Sequence, residues 1–83
     1  MSEADKMFEK LGYERMINQK DIIVFYKEVT STEISFDIDY QEIEISTDTG
    51  ENVFNIRIYT STNLTMQEIK AINKKVEELG WMD

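Results

Sequence analysis

The chain contains no cysteine and no histidine. Their absence removes disulfides, thiolate nucleophiles, zinc sites of the usual kind and the side chain most used for proton transfer near neutral pH. Proline is also missing, and the three glycines, Gly12, Gly50 and Gly80, all fall at apparent element ends, so no linker or low-complexity segment interrupts the chain. No apolar run approaches the roughly 20 residues that span a bilayer. The start, MSEADKMFEK, lacks the basic-then-apolar order of a secretory signal. A small cysteine-free fold of this kind is expected in the reducing cytoplasm, with no membrane contact.

Positive charge is missing from one region in particular. Between Glu28 and Ile56 stand eight carboxylates, Glu28, Glu33, Asp37, Asp39, Glu42, Glu44, Asp48 and Glu51, and no Lys or Arg. Outside that window acids and bases balance, so the net charge of -8 belongs to the middle third of the chain. Such a surface repels a nucleic-acid backbone, whose binding depends on Lys and Arg displacing counterions, and excludes direct nucleic-acid binding. It suits a protein partner with a basic surface, or a cation, and it also keeps a solvated sheet face soluble.

What is present fits one folded domain over residues 1–83. The hydrophobic fraction of 41 % with nine aromatics is ordinary for a globular chain. A domain this small buries only roughly 60 to 65 % of its unfolded surface, which requires one compact core.

Periodicity divides the chain into three. From Ser2 to Leu11, the residues Ala4, Met7, Phe8 and Leu11 make one helical stripe, with Ser2 as the cap. From Tyr13 to Tyr59 the period is two, which predicts strands near 13–17, 22–29, 33–38, 43–47 and 53–60, with Tyr40 in the turn Asp39–Glu42. Thr65 and Glu68 form a capping box before a helical stripe of Met66, Ile69, Ile72, Val76 and Leu79. Lys70, Lys74 and Lys75 read as a solvated basic patch, with Lys74 paired to Glu78. The expected fold is α+β: a short N-terminal helix, an antiparallel meander of four or five strands and a C-terminal helix, the helices covering one sheet face.

A near-repeat, FEKLGY at residues 8–13 and VEELGW at 76–81, has a mechanical reading. Each glycine follows the last periodic leucine, where a left-handed residue stops a helix at little steric cost. Tyr13 would then touch Phe8, and Trp81 would touch Val76, the contacts of a Schellman stop. Nothing else in the chain repeats, which argues against duplication.

Register gives a sharper expectation. A turn at Gly50–Glu51 sets Ile45 opposite Ile56, Ile43 opposite Ile58, Thr47 opposite Phe54 and Glu44 opposite Arg57. Pairing Ile38 with Ile43 and Phe36 with Ile45 in the preceding hairpin stacks Asp37 opposite Glu44 and Asp39 near Glu42. Opposed like charges cost stability, and such conflicts mark candidate functional surfaces. The expected partner-binding residues are therefore Asp37, Asp39, Tyr40, Glu42 and Glu44.

No motif assigns catalysis or a cofactor. The carboxylates lack an EF-hand pattern, a flat strand seldom surrounds a hard cation with six to eight oxygens, and there is little room for a cleft in which paired carboxylates act on a sugar. Tyr26, Phe36, Tyr59 and Trp81 read as core, since a stacking platform would need nearby bases. The stretches MQEIKAINKKVEELGW (66–81), FEKLGYE (8–14) and ISFD (34–37) resemble a group of small uncharacterised proteins encoded in phages and prophages of Gram-positive bacteria. The resemblance implies the same fold and a phage origin, and it transfers no active residue. The expectation is a non-enzymatic accessory protein that binds another protein, in its sharper form an acidic inhibitor of a host nucleic-acid-binding protein. The alternative is a small-molecule or cation-binding module.

Overall fold

The computed structural model describes residues 2–41 and 51–80. Its elements run α1 (Glu3–Lys10), β1 (Glu14–Asn18), β2 (Ile22–Lys27), β3 (Thr32–Gln41), β4 (Glu51–Tyr59) and α2 (Met66–Leu79). The four strands form one antiparallel sheet in the order β1-β2-β3-β4, a meander. Both helices lie on one face of it, so the expected α+β architecture is found.

Local chemistry sets the helix ends. The Ser2 hydroxyl accepts the Asp5 N–H at 3.0 Å at the start of α1. At its end Gly12 takes a left-handed conformation (φ 91°), the Tyr13 N–H bonds the Phe8 carbonyl and the Gly12 N–H bonds that of Glu9. That is the Schellman stop, and its apolar clasp is present as an edge-to-face contact between the Phe8 and Tyr13 rings with centroids 5.5 Å apart. The α2 cap is the expected reciprocal box between Thr65 and Glu68. Gly80 ends α2 in a left-handed conformation, bonding the Val76 carbonyl. The matching clasp from Trp81 lies outside the described residues.

Period-two alternation sends Ile23 and Phe25 of β2 and Ile34 and Phe36 of β3 to the helical side, where they meet Phe8, Tyr13, Ala71 and Ile72. The Phe8 ring stacks on Phe25 at 4.1 Å and meets Phe36 edge-on. Burying each such ring stabilises the fold by roughly 1.5–3 kcal/mol. In β1 the register slips between Arg15, opposite Phe25, and Ile17, opposite Val24. Met16 is the extra residue of this bulge, which sends Arg15 to the helical side and Ile17 to the open side.

The strand pairing corrects the expected register. β3 does not turn at Asp39: it continues to Gln41, so Asp39 faces Val53, Tyr40 faces Asn52 and Gln41 faces Glu51. Glu51 therefore belongs to β4 and not to a two-residue turn. Phe36 lies between Ile23 and Ile56, and Asp37 between Ile22 and Asn55. A strand has two hydrogen-bonding edges, and both edges of β3 are taken here. The pairings Phe36 with Ile45 and Asp37 with Glu44 are therefore displaced, as is Ile38 with Ile43, since Ile38 faces Phe54 and its N–H bonds the Asp21 carbonyl. Strand 43–47 and its pairings with Phe54, Ile56, Arg57 and Ile58 lie outside the described residues. β2 is also shorter than expected, ending at Lys27 before a turn closed by Ser31 N–H to Glu28 carbonyl.

The buried face of α2 is rotated from the expected stripe. Glu68, Ala71, Ile72 and Lys75 are buried and Val76 and Leu79 pack beside the core, whereas Met66 is 64 % and Ile69 39 % exposed. An apolar count misplaces the face because two polar residues are inside, each with a partner far away in sequence. Lys75 is thus no part of a solvated patch, and Glu78 accepts the Ala4 N–H and acts on Lys74 only through its charge, while the ion pairs of Lys74 are with Glu3 and Glu77.

Candidate functional site

Two polar arrangements occupy the helical side, and both hold the fold together. Asp5 of α1 bonds Arg15 of β1 at 2.9 Å and Lys75 of α2 at 3.0 Å, with Lys75 over the Phe25 ring. Burial works to raise the Asp5 carboxyl, but the hydrogen bond and charge of Lys75, with Ser2 and Arg15, hold it below its ordinary range. Beside it, the buried Tyr13 hydroxyl donates to Glu68. Burial first, then the bond to that carboxylate, pushes the Tyr13 phenol well above its ordinary range. For Glu68 burial again opposes ionisation, and the Tyr13 and Thr65 hydrogen bonds outweigh it, so its carboxyl is held low. A recess of about 270 Å³ lies beside the first arrangement, but its Asp5 and Arg15 are spent on each other.

The opposite face of the sheet has no described element packed on it. Paired residues in antiparallel strands share a face, so the register maps this surface row by row. One row crosses all four strands as Glu14, Tyr26, Glu33 and Tyr59. The next is Ile17, Val24, Ser35 and Arg57, and the third contains Ile22, Asp37 and Asn55. In the first row both glutamates are exposed, Tyr26 is half-buried and Tyr59 is 62 % exposed. At the end of this row, Glu14 and Tyr26 join Gly12, Glu28 and Val29 around a recess of about 210 Å³. Val29 at its rim is 91 % exposed. Among the described residues Glu14, Glu28 and Glu33 make no ion pair.

The expected site residues stand differently. Asp37 is on the open face, where it accepts from Asn55 at 3.2 Å and lies 3.9 Å from Arg57. Its charge is met by Arg57. Asp39 and Tyr40 are in β3, Tyr40 in a strand and not a turn. Glu42 and Glu44 lie outside the described residues. The reading of Tyr26 and Tyr59 as core is also corrected: Phe36 is core, while these two face away from the helices.

Sequence reasoning missed the row of Glu14, Tyr26, Glu33 and Tyr59, although each residue was in view. The available signal was its parity with Val24 and Ser35, and the missing quantity was register. Chemically, the row offers exposed carboxylates alternating with phenol rings. Such a surface holds guanidinium or ammonium groups by charge and by the ring faces. Among the described residues no group of three or more carboxylates converges as a metal would require, and no helix is long and apolar enough to cross a membrane. No protein-family model, curated protein or solved structure matches the chain.

Proposed function

We propose that this is a non-enzymatic binding protein that grips a basic surface of another protein through the open face of its sheet. The observation that carries the reading is the transverse row Glu14, Tyr26, Glu33, Tyr59 with the recess at Glu28. Tyrosine supplies large, rigid contact area at low entropic cost, and it is enriched where proteins meet. The unpaired glutamates steer a basic partner and select against acidic ones. Ile17 and Ile22 in the adjoining rows add apolar contact area beside the buried Val24.

In its sharper form the partner is a nucleic-acid-binding protein of a bacterial host, whose basic groove this face occupies in place of phosphates. The protein then acts in the host cytoplasm as a phage or prophage accessory factor, in keeping with the resemblance at its two ends. The test is capture from a Gram-positive host lysate with the intact protein as bait, beside a variant carrying Glu14→Gln, Tyr26→Ala and Glu33→Gln. Supporting results are a partner lost in the variant, weakened steeply by salt and displaced by nucleic acid. A partner retained by the variant at all salt concentrations overturns the reading.

A further inference from the structure

The helical layer carries a second, oppositely charged feature. Between α1 and α2, Met7, Lys10, Leu11, Gln67 and Lys70, none of them from a strand, surround an open hollow of about 170 Å³. Its floor is apolar: Met7 and Leu11 pack against the central cluster from outside, and the lysine stems complete the walls. The volume is close to that of an engineered apolar cavity of about 150 Å³ that admits benzene, so one phenylalanine or leucine side chain matches it.

The charges around the hollow decide what that side chain belongs to. Lys74 is met by Glu3 and Glu77, and Lys75 by Asp5. Lys27 lies over the Tyr13 ring. Lys10 and Lys70, which line the hollow, make no ion pair among the described residues, and neither does Lys6 farther along α1. No carboxylate lines the hollow: Asp5 is engaged with Arg15 and Lys75, Glu68 with Tyr13 and Thr65, Glu78 with the Ala4 N–H, and Glu3 and Glu77 with Lys74, while Glu9 lines the recess beside Arg15 instead. In a chain of net charge -8, two unmet lysines beside an apolar hollow favour a negatively charged occupant with an apolar anchor.

We propose that this hollow docks an acidic peptide segment of a partner protein, one large apolar side chain entering between Met7 and Leu11 while flanking carboxylates meet Lys10 and Lys70. The adaptable thioether of Met7 accommodates either an aromatic or a branched anchor. The site is on the layer opposite the tyrosine–glutamate row and stands independently of it. Together the two faces would let the protein bridge a basic and an acidic partner.

The experiment follows the methionine methyl signals of the intact protein by NMR as short synthetic peptides are added. Each has one Phe or Leu flanked by glutamates, with controls in which the anchor is Ala or the flanks are Lys. Met7 is the reporter and Met16, exposed on β1, the internal control. The expected result is a saturable Met7 shift with Met16 unmoved, lost with the Ala anchor and with Lys flanks. Lys10→Gln with Lys70→Gln should weaken it roughly tenfold, as loss of charge pairing in a small interface does, while the melting temperature reports that the variant folds. Three results overturn the proposal: no Met7 shift at millimolar peptide, an equal shift with either sign of flank, or a Met7 shift produced only by dodecanoate or by raising the protein's own concentration. In the third case, a shift with dodecanoate would assign the hollow to a lipid, and a shift with protein concentration would assign it to a second copy.

Discussion

The Tyr13 hydroxyl donates to the Glu68 carboxylate, which joins the residue that closes the stop of α1 to the residue that caps the start of α2. Glu68 uses one oxygen on the Thr65 N–H and the other on Tyr13. Tyr13→Phe keeps the ring against Phe8 but leaves that second oxygen buried without its donor, a loss of about 1–3 kcal/mol. Glu68→Ala removes the cap as well and should cost roughly 2–4 kcal/mol. Urea unfolding of the two variants measures both, and equal losses would contradict the dual role.

The same contacts predict the pH dependence of stability. Asp5 and Glu68 have carboxyls held below their ordinary values of 3.8 and 4.5. The unfolded state therefore binds protons first, and their stabilisation, complete above those ordinary values, is lost as pH falls through the lower folded ones. Tyr13 acts in the other direction. Its phenol is raised from 10.0, so the unfolded chain releases that proton first and stability declines as pH rises above about 10. Melting temperature against pH should show both limbs. Asp5→Asn with Glu68→Gln should flatten the acid limb, and Tyr13→Phe the alkaline one.

Buried and exposed lysines on one helix should respond differently. Lys75 is 8 % exposed and pairs with an Asp5 that is 10 % exposed, whereas Lys74, its neighbour in sequence, reaches Glu3 and Glu77 at the surface. Breaking a buried pair by removing one partner costs about 3–5 kcal/mol when the other charge is left alone. Arg15 remains beside Asp5, so Lys75→Ala should fall at the lower end of that range. Lys74→Ala should be indistinguishable from the parent in the same denaturation experiment.

How far the fold was legible in the sequence depends on the distance over which each decision is made. The Schellman stop at Phe8, Gly12 and Tyr13 and the box at Thr65 and Glu68 are decided within six residues, and both were readable. The sidedness of the strands was readable too, because alternation alone separates Phe36 from Asp37. The partners of those residues were not. Period two says which face a residue takes and nothing about which strand lies beside it, so IEIST after β3 looked as good a neighbour as VFNIRIYT. Glu68 and Lys75 misled for a related reason. Their burial depends on Tyr13 and Asp5, which are 55 and 70 residues away, and no local pattern reports that. The candidate site inherits the same limit: its residue types were visible, and their alignment into one row was a matter of register.

A strained turn offers a stabilising change. Ser31 is the non-glycine residue with positive φ among the described residues, at 48°, in the turn between β2 and β3. A left-handed conformation costs an ordinary L-residue roughly 1–2 kcal/mol, and glycine escapes it at some cost in unfolded-state entropy. Ser31→Gly should therefore gain roughly 0.5–1 kcal/mol. A lower melting temperature would indicate that the Ser31 side chain contributes to the turn.

The two faces of the sheet make the most demanding test, because they can be compared within single strands. On β3, Phe36 is wholly buried, while Glu33 in the same strand faces the open side. Phe36→Ala should cost about 3–5 kcal/mol through lost burial and the cavity left behind, whereas Glu33→Gln should leave stability within about 0.5 kcal/mol. On β4, Tyr59→Ser belongs with Glu33→Gln, being on the same row and mostly exposed. If the row is a recognition surface, these two variants keep the melting temperature of the parent and lose partner capture, so the stability and binding measurements separate. Large destabilisation by Glu33→Gln or Tyr59→Ser would mean that the row is packed against something structural, and the surface assigned to a partner would then be part of the fold itself.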